Sequence, residues 1–527
     1  MLPAVRPAVR PSLHRTLRVA AAALGLAALP LSSCDRTVRP TEALAPVQAA
    51  SLDAEAGGWR MFVLGAPDQI AVPAPAPVTS EAYQAELAAV KAAQARMTSA
   101  QRQAVAYWSG GGVLRWNQLQ RELVARFNLP PAPRDDGTYA APDPENPFGE
   151  PQFPFSNPPY AARAYSYVSV AQYEALKAAW HWKFRYNRPS PAHADAGVAA
   201  AAPPSDLPAY PSEDAVLSGV TAELLKLLFP AAVEEITRRA AEQREAAVLA
   251  GRATASDVAA GLALGKAVAA AVVARAGADG MRTAAGNAAL WQALADSARA
   301  HGEIPWVSQE VPARPPLLAA FGVVRPWTMS AAELAALDPP APPSTGSAQM
   351  QAELAEVKRT VDGLTRAQLA VALKWNDGAG TYTPPGHWND IAAEYVRDAR
   401  MSEVRAARAF ALLNMAMHDA AVACWNVKFR YFNPRPAQLD PSIKTSIGLP
   451  NFPAYPSGHS TFSSAAAGVL SYLFPAAAAD FDAQADEAGI SRLYGGIHYR
   501  SDIENGKAHG ARIGAAVVRA ARADGAR

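Results

Sequence analysis

At 527 residues the chain is long enough for two to four domains or for one large duplicated body. Half of its residues are hydrophobic and alanine is abundant, so a sizeable core can be buried, most cheaply with helices. A formal charge of only +2 argues against nucleic acid as an electrostatic partner.

The chain opens on a targeting pattern. Arg6, Arg10, Arg15 and Arg18 form a basic region, Val19 to Leu29 an apolar stretch too short for a comfortable membrane span, and Leu31-Ser32-Ser33-Cys34 a lipobox-like end. Residues 1–33 are therefore expected to be a lipoprotein signal peptide. The body would be exported, to the periplasm or the cell surface, and lipid-anchored at Cys34. Its charge is then nearly balanced, with 45 Lys and Arg against 47 Asp and Glu. Cys424 is the one other cysteine, and its simplest reading is a small buried residue beside Trp425. Residues 34–80 look like an irregular tether.

An internal repeat organises the rest. Gln84-Ala85-Glu86-Leu87 and Trp108 recur as Gln351-Ala352-Glu353-Leu354 and Trp375, a shift of 267. Further on the shift is 245: Trp180 and Lys183-Phe184-Arg185-Tyr186 recur as Trp425 and Lys428-Phe429-Arg430-Tyr431. Tyr210-Pro211-Ser212, Phe229-Pro230, Asp257 and Asp279-Gly280 recur as Tyr455-Pro456-Ser457, Phe474-Pro475, Asp502 and Asp524-Gly525. The difference fits an insertion at 129–159, rich in Pro, Gly and Asn, read as a surface loop. The expected layout is a degenerate repeat over 81–280, a linker over 281–350 and a catalytic C-terminal domain over 351–527.

Both copies read as helices, giving an all-α fold of two related bundles with the site in the C-terminal one. The spacing predicts a helix over Met401 to Val427. Asn433-Pro434-Arg435-Pro436 is expected to be non-helical. Ser457 should cap a helix running to about Leu473, a following helix should end at Gly495-Gly496, and Ser501-x-x-Glu504 offers a capping box for the last helix. Val258 to Ala276 is apolar enough to suggest a membrane span, but its second-copy counterpart carries Glu504, Lys507, His509 and Arg512, so a packed helix is expected.

Three motifs in the second copy carry the chemistry: Lys428-x6-Arg435-Pro436, Pro456-Ser457-Gly458-His459 and Ser491-Arg492-x5-His498-x3-Asp502. Arg435 and Arg492 offer planar forks of N–H groups and Lys428 a point charge. Ser457, Gly458 and His459 sit at a helix start, whose outward N–H groups and dipole favour an anion. Asp502, four residues after His498, can hold one ring nitrogen and leave the other free to attack or to ligate, while His459 is placed to donate a proton. In the first copy Gly458 and His459 are replaced by Glu213 and Asp214, and Arg492 and His498 by Ala247 and Ala253, so that half is expected to be structural. His387, His418 and His509 keep an ordinary structural reading, with His387 the one of the three placed to line an entrance.

On these motifs the chain resembles the superfamily that unites type-2 phosphatidic acid phosphatases, bacterial acid phosphatases and vanadium-dependent haloperoxidases. The resemblance implies an all-helical fold, in the soluble branch two related four-helix bundles with one active site. It implies that Lys428, Arg435, Ser457, Gly458 and Arg492 hold the oxyanion, that His498 is nucleophile or vanadium ligand, and that His459 is the acid–base residue. Trp425 and Phe452 match aromatic positions on the halide side of chloroperoxidase-type members, with core packing as the competing reading. The first expectation is a phosphomonoesterase working through a phosphohistidine with no cofactor on a small phosphorylated substrate. The alternative is a haloperoxidase that binds vanadate and oxidises halide with hydrogen peroxide.

Overall fold

Short polar residues open the helices that the apolar spacing predicts. The side chains of Ser80, Thr98, Asn157, Ser212 and Thr254 accept a backbone N–H of the following turn, and so do those of Ser347, Thr365, Ser402 and Ser457. The computed structural model describes residues 44–203 and 206–526; the leader and Cys34 lie outside them. Among the described residues there is no strand, and the loop over 129–159 holds one isolated bridge, between Pro133 and Tyr139.

The first half contains α1 (Glu81–Ala95), α2 (Ser99–Trp108), α3 (Gly112–Phe127), α4 (Pro158–Tyr186), α5 (Glu213–Leu228), α6 (Val233–Leu249) and α7 (Ala255–Gly277). After α8 (Ala288–Ala300) in the connecting segment, the second half contains α9 (Ala348–Asp362), α10 (Arg366–Lys374), α11 (Thr383–Asp398), α12 (Glu403–Tyr431), α13 (Gly458–Leu473), α14 (Ala478–Tyr494) and α15 (Arg500–Arg522). Helix lengths run in the same order: α4 and α12 have 29 residues each, α5 and α13 have 16, α6 and α14 have 17, α7 and α15 have 23. These four pairs are the bundles, and α1–α3 and α9–α11 are additions to them. Details repeat too. Asn187 and Phe432 end α4 and α12 in the left-handed region, at φ of 47° and 48°. Arg163 Nε and Arg408 Nε each lie 2.7 Å from a buried carboxylate, Asp279 and Asp524.

Where α7 meets α5, and α15 meets α13, the backbones nearly touch. A Cβ on Gly261 or Gly265 would overlap the Ser212 or Val216 carbonyl, and one on Gly510 would overlap that of Thr461. Helix α7 is long and apolar enough to cross a membrane by length and composition, and here its glycine face is packed against α5.

Four expectations need correction. Helix α12 begins and ends later than its apolar spacing suggests, and Pro436 opens a four-residue helical turn capped by Arg435, because proline is tolerated at a first helical position. Helix α15 is not opened by a Ser501–Glu504 box: Tyr499 is the capping residue, Asp502 accepts its N–H at 3.1 Å, and Ser501 binds Glu353 instead. Residues 44–80 are irregular but form a packed strap. Glu174 of α4 accepts the N–H groups of Phe62, Val63 and Leu64, while Lys177 and Trp182 bind the carbonyls of Gly57 and Ile70. Trp59 and Leu64 are buried in the core.

Candidate active site

The site is built at the start of α13 and α15 and the end of α12. Ser457 caps α13, so the N–H groups of Gly458 and His459 belong to the first turn, where no carbonyl within the helix can accept them. A hydrogen bond of 2.9 Å from Ser457 N to the Asp502 carbonyl ties the two helix starts together. A Cβ on Gly458 would meet only the rings of Phe462 and Trp425, at 3.7 and 3.9 Å, so glycine leaves room at the helix start.

His498 is 2% exposed and fully engaged. Nδ1 lies 2.8 Å from Asp502 Oδ2, and Nε2 lies 3.0 Å from Arg435 Nη1. Arginine can only donate and carboxylate accepts, so the ring carries its proton on Nδ1 and its lone pair on Nε2. Burial, then Arg435, Lys428 and Arg492, hold His498 well below the usual histidine range. It is neutral, the state required of a nucleophile or a ligand. Burial pushes Asp502 up and Lys428 down from their ordinary values. Burial also lowers Arg435 and Arg492, each to about 10, so both keep their charge at neutral pH.

The cations are committed to backbone as well. Lys428 Nζ donates to the carbonyls of Pro453, Ala454 and Pro456 at 2.9, 2.8 and 2.5 Å, which spends its three protons on the loop before Ser457. Its charge reaches the site, but it holds the loop in shape rather than offering a free N–H. Arg435 donates to Phe452 and Ile497, and Arg492 to Ala372 and Trp375. Trp425 and Phe452 form one wall, with ring centroids 4.9 Å apart, and Lys428 and Arg435 each sit 5.1 Å from the Phe452 ring. Trp425 Nε1 is fixed by the Leu317 carbonyl at 3.1 Å. Together the groups can bind a tetrahedral oxyanion beside one neutral imidazole.

Sequence reasoning missed the segment from Trp375 to His387. The Trp375 carbonyl receives Arg492 at 2.5 Å. Asp377 Oδ2 lies 3.8 Å from His459 Nε2. Burial, then Arg492, hold His459 well below its ordinary value. His387 lies beside this group, while His418 and His509 are wholly buried elsewhere, each pushed by burial to about 3. Cys424 is buried beside Trp425, as read.

The first half holds this segment down. Asn128, at the end of α3, donates to the carbonyls of Gly378 and Thr381 at 2.9 and 3.1 Å and accepts from Gly380 N at 2.8 Å. Asn128→Ala is expected to cost about 1–3 kcal/mol, from the loss of two partly buried hydrogen bonds, with Thr381 still serving the Gly378 carbonyl, and to lower turnover several-fold. A denaturant melt and an activity assay on the same preparation check both.

At the equivalent place in the first half the charges cancel internally. Glu213 pairs with Lys183 at 2.7 Å and Asp214 with Arg252 at 3.0 Å, and Lys183 also binds the Pro208 carbonyl. Asp214→His is therefore expected to add no activity; a doubled turnover per chain would contradict this.

Residues 408–525 match the family model of the PAP2 superfamily. That segment is a PAP2 superfamily domain. No curated protein matches it. Its structure is similar to that of a bacterial vanadium-dependent iodoperoxidase, with 25% identity and a TM-score of 0.53, over 69% of this chain and 91% of that one. It also resembles a bacterial vanadium-dependent chloroperoxidase in holo and apo forms, at 12% identity and TM-score 0.50, over 73% and 72% of this chain and 97% of that one. This second likeness concerns the fold. The PAP2 match covers α12 to α15, which carry all three motifs.

Proposed function

We propose that this chain, with its PAP2 superfamily segment over 408–525, is a vanadate-dependent haloperoxidase. The observation that carries the reading is the likeness to the iodoperoxidase, which extends over 91% of that chain and so far beyond the PAP2 segment. It outweighs the preference for a phosphomonoesterase drawn from the sequence. The site fits vanadate. His498 Nε2 carries a lone pair, Arg435 and Arg492 supply fixed charge, the first turn of α13 supplies N–H groups, and His459 Nε2 is buried without a partner. Vanadate, when bound, supplies an electron-poor centre at which hydrogen peroxide becomes able to oxidise halide.

The chain's own residues then have separable tasks. Arg435 would give the oxyanion the N–H that now rests on His498 Nε2, and Arg492 would balance the remaining charge. Asp502 keeps the Nδ1 proton in place, which holds Nε2 as an acceptor. His459 exchanges a proton with the oxygen it faces. Trp425 and Phe452 exclude water from one side of the site.

Phosphomonoester hydrolysis is the second reading, favoured by the same neutral His498. There Nε2 attacks phosphorus, the ester oxygen leaves and takes a proton from His459, and water, deprotonated by His459, then cleaves the phosphohistidine. Two assays on the purified chain separate the readings: iodide oxidation with vanadate and peroxide, and p-nitrophenyl phosphate hydrolysis without metal. Oxidation that depends on added vanadate supports the first. Hydrolysis abolished by vanadate, with no oxidation of iodide or bromide, would reject it.

A further inference from the structure

The segment before α11 brings a second histidine–carboxylate pair against His459. His387 Nδ1 lies 3.1 and 3.3 Å from the two oxygens of Asp377, whose Oδ2 is 3.8 Å from His459 Nε2. The side chains of His387, Asp377 and His459 are 14%, 5% and 16% exposed, so the pair is shielded from solvent but not sealed. The His387 ring is clamped: it stacks on Trp375 at 4.3 Å and 22°, with the edge of Tyr382 at 6.0 Å. Trp375 is fixed in turn by Glu487, which takes its Nε1 at 2.8 Å, and by Arg492 at its carbonyl. Asp377 has a φ of 45°, a backbone state that costs a non-glycine residue energy and that its surroundings must hold.

We propose that His387 is a positioning residue for His459: by donating Nδ1–H to Asp377 it keeps that carboxylate turned toward the His459 ring. A carboxylate this close in a desolvated site favours the protonated imidazole, against the burial, the Arg492 and Arg435 charges and the like charge of the His387 ring itself, which oppose it. The groups facing the pair are Asp377 and Tyr382 from the segment before α11, Glu487 and Arg492 from α14, and His459 from α13. Of these only Asp377 links the two rings. Losing that link leaves His459 facing Arg492 and Arg435 with no aligned counter-charge. The inference rests on the acid–base task given to His459 above, and it holds for either reaction.

The test uses His387→Phe, which keeps a ring on Trp375 but removes the donor, and His387→Asn, which restores a donor near the Nδ1 position. In whichever assay the wild type turns over, His387→Phe should lower kcat about tenfold with KM changed less than about twofold. The limb of the pH profile that falls with rising pH should lie at lower pH in His387→Phe than in His387→Asn, and His387→Asn should recover most of the loss. Histidine-selective NMR on the unliganded protein, with the His459 ring assigned through His459→Gln, should show that ring titrating at lower pH in His387→Phe than in His387→Asn, since both lack the charge of the His387 ring and differ in the donor. Asp377→Asn should lower that titration too, and on its background the two His387 variants should not differ. Should the wild type catalyse neither reaction, the function above falls while the ring titration still decides this inference. A His459 titration no lower in His387→Phe than in His387→Asn, or an asparagine variant as impaired as the phenylalanine one, would overturn it.

Discussion

His498→Ala is expected to reduce turnover by at least about a thousandfold, whichever of the two reactions the enzyme performs. The ring bridges two motifs, with Asp502 at Nδ1 and Arg435 at Nε2. With the ring gone, the lone pair that Asp502 and Arg435 hold in place is lost, and His459 is not oriented by Asp502 to replace it. The fold should survive, because Asp502 Oδ2 keeps the Tyr499 N–H and the alanine removes one partner of a single buried pair. A stability loss of about 1–3 kcal/mol is the expected cost. Activity within tenfold of wild type in a folded variant would show that the chemistry runs elsewhere.

Arg408→Ala carries the largest expected effect on stability. Arg408 Nε lies 2.7 Å from Asp524 Oδ2, with both side chains at 5% exposure or less, and also binds the Ala521 carbonyl. Removing the arginine strands a buried carboxylate, which costs about 3–5 kcal/mol. The first half repeats the arrangement with Arg163 and Asp279, so Arg163→Ala should cost a similar amount. The pair has a pH signature there. Burial raises the Asp279 carboxyl, but Arg163 and two further donors outweigh it and hold the group below its ordinary value. A depressed carboxylate stabilises the fold above its unfolded pKa, and that contribution is lost as the pH falls through the folded pKa. Wild type should thus lose stability on acidification below the carboxylate range, and Arg163→Ala should lose less over the same window. Denaturant melts at several pH values measure both. Parallel curves for the two proteins would contradict the assignment.

The sequence made the helical frame legible where local chemistry sets a boundary. Ser457 capping α13, Pro475 following α13 and Gly495-Gly496 closing α14 are all decided within a few residues. The three motifs were legible for a related reason: their residue types are costly to bury unless they face charge, so their combination implied a shared site, and Arg435, His498 and Asp502 do meet. What stayed hidden depends on distant contacts. Asp377 lies far upstream of His459 in the chain and reaches it only because its left-handed backbone is held, in part, by Asn128 of the other half. The recurrence of Trp108 as Trp375 was a signal for that segment, and His387 was considered only as a residue of the entrance. The packing of the 44–80 strap was equally invisible, since its partner Glu174 reads from sequence as an ordinary helix-surface acid. The commitment of Lys428 to three carbonyls was masked by its motif, which suggests a contact with the anion itself.

The two halves share a frame and differ in charge, and the account stands on one oxyanion site, in the second half only. Equilibrium binding of orthovanadate to the purified chain tests this directly. One vanadate per chain is predicted, lost in His498→Ala and in Arg435→Ala and unaffected by Glu213→Gln. Two vanadates per chain, or one whose binding survives both second-half substitutions, would contradict it.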